Sequence, residues 1–546
     1  MRSKPFIRAT IVASALGTAG VTAHATDWLQ FGYDAAHSGF NAADTGYSTP
    51  TGNSILFHYS LPSAADSAPL YLGNVSTASG TKNLLFIVTK NGTLLALDAD
   101  ANSQTVIWSK SCVPPPSPAF NYCTKLTTGS PIVVFDPDTA VPYVYAYALD
   151  GKVHKYLAGD GTETVTCSPS TPTDYNCWPE VSTLKPDVEK GAAALSTAVT
   201  SGGTYLYSVT DGYIGDGGDY QGHITTINLA TGVQTVFNSE CSDLTYHFVE
   251  NGTTSGGSPT DCASKQNGIW GRPGAIYDPG TNRVFITTGN GPYNASTGGL
   301  NWGDSVLALN PDGSGSGGGM PVDSYTPTTY GDTSSGLQGH DADLGSVSVA
   351  LVPAPPGTAA AYLHIGVQPG KDGCVRLINL ADMSGQGGPA HTGGELDAQN
   401  LPGGSNCSNG GDGPEIKPQP AVWVNPADSS SWIYVMSYGN GSAAYKIVLD
   451  GAGKPSLSQQ WTANSGTSPV VANGTVYFMS GNHMQALDAV TGVSVQTSGS
   501  PWLTTSYGGQ HWQSPILVNR RLYAVDNSGQ LWVFALNDGI FRDGFQ

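Results

Sequence analysis

One short pattern, a turn containing Gly or Asn followed by an alternating apolar strand, returns eight times along the chain. It reads NGTLLALDA from Asn91, DGKVHKYLA from Asp150, QGHITTINLATG from Gln221 and GDSVLALNPDG from Gly303. The later copies read DGCVRLINLADMSG from Asp372, GSAAYKIVLDGAG from Gly441, GNHMQALDAVTG from Gly481 and SGQLWVFALNDG from Ser528. Upstream of most copies stands a second β-rich run, such as LLFIVT at Leu84, YVYAYA at Tyr143, RVFITTG at Arg283 or TVYFMS at Thr475. Two runs meeting at a Gly or Asn turn form a hairpin. A third run precedes many of the hairpins, as in SPIVVFD at Ser130, SVSVALVP at Ser346 and SPILVNR at Ser514, and a less regular fourth completes a four-stranded antiparallel unit. Such units recur roughly every 40 to 80 residues with almost no helical periodicity between them. This predicts an all-β fold, an eight-bladed β-propeller of four-stranded antiparallel blades in which each sheet buries its faces against its neighbours.

The eighth unit ends a few residues before Gln546 and leaves no chain for its outermost strand, whereas SILFHYS from Ser54 is spare. The amino-terminal strand is therefore expected to complete the last blade, closing the ring and removing its open edge. The alternative, two separate β domains, needs a linker of changed composition; the Gly-rich stretches 313–319 and 403–413 read instead as loops within the ring.

The first residues carry an address. Arg2, Lys4 and Arg8 precede an apolar run from Ala9 to Val21, and Ala23-His24-Ala25 is a small-x-small cleavage site. The expected organisation is a signal peptide over residues 1–25 cleaved after Ala25, one propeller domain over 26–538 and a short tail over 539–546. A secreted or periplasmic protein follows. Within that reading it is expected not to be a lipoprotein, since no Cys stands before Cys112, and no later apolar run reaches the length of a membrane span. The net charge of −19 repels phosphate backbones and disfavours a nucleic-acid partner.

Eight cysteines fall into neighbouring pairs: Cys112 with Cys123, Cys167 with Cys177, Cys241 with Cys262, and Cys374 with Cys407. In an oxidising compartment these are expected as disulfides stapling local loops, although eight cysteines allow 105 pairings. There is no Cys-x-x-Cys, hence no zinc ribbon and no covalent c-type haem.

The segment Asp27-Trp28-Leu29-Gln30-Phe31-Gly32 with His37-Ser38-Gly39, the strand endings Ala96-Leu97-Asp98 and Ala486-Leu487-Asp488, and the turns Thr231-Gly232 and Thr491-Gly492 are distinctive. Together they resemble the pyrroloquinoline quinone (PQQ)-binding-like propellers, which include quinoprotein alcohol dehydrogenases and non-catalytic relatives. The resemblance covers nearly the whole mature chain. It implies a Trp that docks each blade on the next, a role matched by Trp108 and Trp461, with Phe237 in its place in the third blade.

In the catalytic members, the resemblance implies a quinone with Ca2+ on its carbonyl, a carboxylate base and a cation beside the quinone oxygens. Three positions match in order. Thr288-Gly289-Asn290 resembles the segment whose Asn binds calcium, His340-Asp341-Ala342-Asp343 the segment bearing the catalytic Asp, and Gly370-Lys371-Asp372-Gly373 the turn whose Lys or Arg contacts the quinone. Asp343 aligns best as the base and as a metal neighbour, with Asp341 and Lys371 toward the cofactor. The plain reading of each is a turn or a solvated charge. Other expected elements are altered. No Cys-Cys pair covers a quinone face; the third-blade Glu is missing, with Asp216 and Asp219 as substitute oxygens for a metal. Arg272 stands where a stacking Trp is expected, with Trp270 two residues earlier on the same strand face.

Two functions stay open. One is a PQQ- and Ca2+-dependent dehydrogenase oxidising an alcohol or sugar and passing electrons to a separate acceptor. The other is a non-catalytic propeller binding a protein, polysaccharide or other polymer.

Overall fold

In a computed structural model of the chain, the residues described are 27–43, 55–115, 120–168, 176–213, 216–247, 262, 264–331, 336–404, 407–411, 413–439, 441–481, 483–495, 502–503 and 512–536. The segments expected as signal peptide (1–25) and carboxy-terminal tail (539–546) lie outside them.

At the Asn91-Gly92 turn, Gly92 takes φ +75°, a left-handed conformation that suits a residue without Cβ. The strands Gly80–Val88 and Leu94–Asp98 leave it antiparallel, with Val88 opposite Leu94. Leu70–Thr77 flanks the first of these and Val106–Lys110 the second, making a four-stranded sheet. All five residues of Leu94–Asp98 are buried, so both faces of the blade are covered. That is why these central strands read as nearly continuous apolar runs.

Seven further sheets follow, eight in all among the described residues, each antiparallel and joined in chain order. The first strands of neighbouring sheets touch, for example Ala350–Pro353 with Ala421–Val424, and that strand with Val470–Ala472. These first strands ring the hub, and the chain is an eight-bladed propeller. Blade 3 has its first strand in two pieces, Glu189–Gly191 and Ser196–Thr200, both paired with Gly203–Gly212. In that pairing Lys190 lies directly opposite Asp211.

Closure falls where the spare strand requires it. Ile55–Ser60 pairs antiparallel with Gln530–Ala535, as the outermost strand of the blade containing Ile516–Val518 and Arg521–Val525. Blade docking also follows the expected pattern. The Trp108 indole donates to Ala158 O at 2.8 Å and Trp461 donates to Ala489 O at 3.1 Å, each on the following blade. Trp461 covers Gly492, where a Cβ would come within 2.6 Å of the ring, so the Thr-Gly turn provides the seat for the docking indole.

The segment 27–43 runs through the hub. Trp28 and Tyr71 exchange two backbone hydrogen bonds, Val133 N donates to Leu29 O, Val422 N to Ser38 O, and Val471 N to Gly39 O. Each partner sits on a first strand, whose hub-facing edge would otherwise be unpaired. The Trp28 and Phe31 side chains are buried beneath that lining.

All four local cysteine pairs are disulfides. They fit an oxidising compartment. Among the described residues no helix is long and apolar enough to cross a membrane.

Candidate functional site

In a four-stranded antiparallel blade, the segment entering the first strand and the turn between the second and third strands lie at the same end. Residues from these two places converge on one cavity of about 270 Å³. Asp66, Thr128, Trp270, Lys417 and Trp512 come from entering segments, and Lys90 and Lys371 from the turns. Lys190, Asp211, Tyr213, Asp216 and Tyr220 come from blade 3, and Asp341 and Asp343 from the approach to blade 5. Contributions from so many blades place the cavity at one mouth of the hub.

Asp343 and Lys371 line this cavity, and Asn290 joins them through Asp343. Asn290 N donates to Asp343 Oδ1 at 2.9 Å, and Lys371 Nζ donates to Asp343 Oδ2 at 2.7 Å. Lys371 also lies 3.1 Å from Asp341 Oδ2, while the Asn290 amide donates to Asp341 Oδ1 at 3.2 Å. Asp343 and Lys371 are buried, whereas the Asp341 side chain is 67% exposed on a residue at φ +51°. Burial opposes charge on Lys371, but the two carboxylates outweigh it and raise its pKa. Lys371 N donates to Asp343 O at 3.0 Å, so the turn itself is tied to the acid it pairs with.

Behind this cluster Asp304 accepts from Leu344 N at 3.0 Å, and its own N donates to Gly289 O at 2.8 Å. It clamps the Asn290 segment to the Asp343 segment from within the core. Burial pushes its carboxyl well above the usual range, and Asp343 adds to the shift.

Across the cavity, Lys190 Nζ lies 3.8 Å from Asp211 Oδ2. Burial raises the Asp211 carboxyl to about 7, against the pull of Lys190, with Asp343 pushing the same way as burial. Burial likewise lowers the Lys190 ammonium. The Trp270 and Trp512 rings stand edge to face at 5.5 Å, and Lys371 Nζ lies 5.8 Å from the Trp270 ring centre.

Several expected assignments change. Arg272 is buried, and its guanidinium donates to Asp66 O at 2.6 Å, Thr128 O at 2.8 Å and Ala192 O at 3.3 Å. It is a strut under the cavity, committed to backbone carbonyls, rather than a wall facing a cofactor. Trp270, two residues earlier, faces the cavity instead. Asp216 lines the cavity and accepts from the Tyr220 hydroxyl at 2.7 Å. Asp219 lies outside the lining, and blade 3 presents Asp211 in its place.

Lys190, Lys417, Lys90, Asp66 and Trp512 were not among the residues picked out by sequence, yet many obey a rule visible in it. In five blades the residue three before the Pro that opens the first strand lines the cavity: Asp66 before Pro69, Thr128 before Pro131, Trp270 before Pro273, Lys417 before Pro420 and Trp512 before Pro515. Gly466, three before Pro469, has no side chain to contribute.

A planar, polycarboxylated quinone matches this lining. Two indoles line a space just below the roughly 300–1,000 Å³ common for small-molecule sites, and four lysines face it, each paired with a carboxylate. A divalent metal beside Asp343 does not fit. The position between Asp341 and Asp343 is taken by an ammonium, and the Asn290 amide is turned to Asp341. The ammonium already offsets one of the two carboxylate charges that would draw such an ion. Among the described residues no group of three His, Cys, Asp or Glu side chains is arranged to hold a metal.

The fold and this hub-mouth cavity together define an eight-bladed β-propeller with a charged, indole-lined cavity at one end of its hub. Comparison with solved structures agrees at the level of fold. The chain is similar to a europium-containing methanol dehydrogenase (TM-score 0.58, 14% identity, covering 94% of this chain and 98% of that one). It is also similar to the quinohemoprotein alcohol dehydrogenase of Comamonas testosteroni (TM-score 0.56, 14% identity, covering 95% and 82%). A quinohemoprotein alcohol dehydrogenase of Pseudomonas putida HK5 gives a TM-score of 0.55 at 14% identity, covering 96% and 82%. No protein-family model and no curated protein sequence matches the chain.

Proposed function

We propose that this protein is an exported oxidoreductase that uses a PQQ-type quinone to oxidise an alcohol or sugar. The observation that carries the reading is a buried carboxylate, Asp343, gripped by Lys371 inside an indole-walled cavity that seven blades build together. A fold alone names no activity, and burying a charge pair in a cavity costs stability that packing has no need to incur.

When bound, the quinone supplies a two-electron acceptor. The chain's own residues have separate tasks. Asp343, with each oxygen already fixed by one donor, keeps lone pairs with which to accept the substrate hydroxyl proton. Trp270 and Trp512 wall the ring and exclude water. Lys90, Lys190 and Lys417 face the carboxylates of the cofactor, and Lys371 holds the base in place. The leader over residues 1–25 sends the protein to the periplasm or outside the cell, where a separate acceptor takes the electrons.

The test is to load the purified mature chain with PQQ, pass it through a gel-filtration column, and read retained quinone absorbance and dye reduction with a panel of alcohols and sugars. Retention with turnover, and loss of turnover but not of retention in Asp343→Asn, is the expected result. A chain that retains no quinone at micromolar cofactor is not an enzyme of this kind.

A further inference from the structure

We propose that the ammonium of Lys371 is the resident cation of this site, standing where a divalent metal would otherwise lie, so that the cavity takes up its quinone without a metal. The quinone half of this rests on the function proposed above; the metal half does not.

Lys371 is a fixed group. It follows Gly370 on a turn whose Gly373, at φ +72°, is packed so that a Cβ would come within 2.7 Å of Pro414. One residue on, Cys374 is bonded to Cys407. The Lys371 backbone N is held by Asp343 O, and its side chain is 10% exposed. The ammonium has three N–H donors. Two are directed to Asp343 Oδ2 at 2.7 Å and Asp341 Oδ2 at 3.1 Å, leaving one for an acceptor inside the cavity. A carbonyl oxygen there would receive from this N–H both a hydrogen bond and a nearby positive charge, the polarisation that a metal provides by coordination.

The Asn290 side chain turns its NH2 donor to Asp341, Asp216 accepts from the Tyr220 hydroxyl, and Asp219 lies outside the cavity lining. Asp341 and Asp343 carry two negative charges against the single positive charge of Lys371. Removing that ammonium would leave two adjacent carboxylates open to a cation.

Two measurements on the mature chain, stripped with EDTA, test the proposal. In the first, Tb3+ is titrated without quinone and its emission is read under indole excitation, since Trp270 and Trp512 adjoin the site. The expected result is no emission that depends on Asp343 for the wild type at micromolar Tb3+, and at least a tenfold gain in affinity for Lys371→Met that disappears when Asp343→Asn is added. Wild-type emission abolished by Asp343→Asn overturns the proposal, whereas emission that persists in that variant arises elsewhere on this acidic surface and supports it. In the second, PQQ retention is compared with EDTA and with Ca2+. Equal retention supports the proposal, and retention only with Ca2+ overturns it. Retention under neither condition removes the proposed function, and the Tb3+ titration then still decides the role of Lys371. Lys371→Arg, which keeps the charge, guards against a folding defect in Lys371→Met: it should remain as blind to Tb3+ as the wild type.

Discussion

Tyr59 pairs with Leu531 across the seam of the ring, and its hydroxyl donates to Ala101 O at 3.0 Å and Ser103 O at 2.8 Å on the first blade. One side chain thus fastens the last blade to the first. Tyr59→Ala should lower stability by about 3–5 kcal/mol, the cost typical of truncating a buried aromatic. Urea unfolding followed by tryptophan fluorescence would read this as a lower midpoint. A loss below about 1 kcal/mol would mean the seam is held by other contacts.

Trp270→Ala and Trp512→Ala should each weaken PQQ retention roughly 30-fold, corresponding to about 2 kcal/mol of lost aromatic contact. Equilibrium titration of quinone absorbance measures it. Trp432→Ala, on a second strand remote from the cavity lining, serves as the comparison and should leave quinone affinity unchanged.

Quinone affinity should fall as pH rises through about 7. Burial holds Asp211 protonated up to about that pH, so below it the carboxyl is neutral, and above it the cavity gains one negative charge facing an anionic cofactor. A change of about fivefold, near 1 kcal/mol, is expected. Asp211→Asn should keep the low-pH affinity and flatten the profile; an unchanged slope in that variant would assign the effect to another group.

His154 offers a stability test away from the site. Burial disfavours its charged form, but Glu163 at 2.6 Å and Asp150 at 3.2 Å outweigh burial and lift its pKa from 6.5 to about 9. Because the folded value is the raised one, the stabilisation is fully present below about 6.5 and is lost as pH rises through about 9. His154→Gln should therefore lower Tm by a few degrees at pH 6, on the order of 1–3 kcal/mol, and by much less at pH 10. Equal losses at both pH values would point to packing alone.

Opening the Cys374–Cys407 disulfide should loosen the Lys371 turn. The bridge closes a separation of 33 residues, a length for which loop entropy assigns about 3–4 kcal/mol. Cys407→Ser should reduce both Tm and PQQ retention, whereas loss of the remote Cys112–Cys123 bridge should leave retention as it was.

Much of the architecture could be read before any coordinates, because a blade is a local object. Its hairpins follow from Gly or Asn turns and two-residue periodicity, and the spare strand at Ser54 announced ring closure by counting alone. Local spacing similarly foretold the disulfides. The ordered trio Asn290, Asp343 and Lys371 was legible since each stands at a recurring place in its own unit. What escaped were residues whose importance depends on the angle at which separate blades meet. Arg272 and Trp270 lie two residues apart, and only the hub decides that the guanidinium is claimed by carbonyls while the indole reaches the cavity. Asp211 acquires its raised pKa, and Lys371 its two carboxylates, from groups supplied by other parts of the chain. Sequence by itself determined the repeating sheets and their number, since backbone pairing and alternation act over a few residues. Tertiary structure alone decided which charges face one another at the hub, because Coulomb energy and desolvation depend on distances that no local pattern encodes.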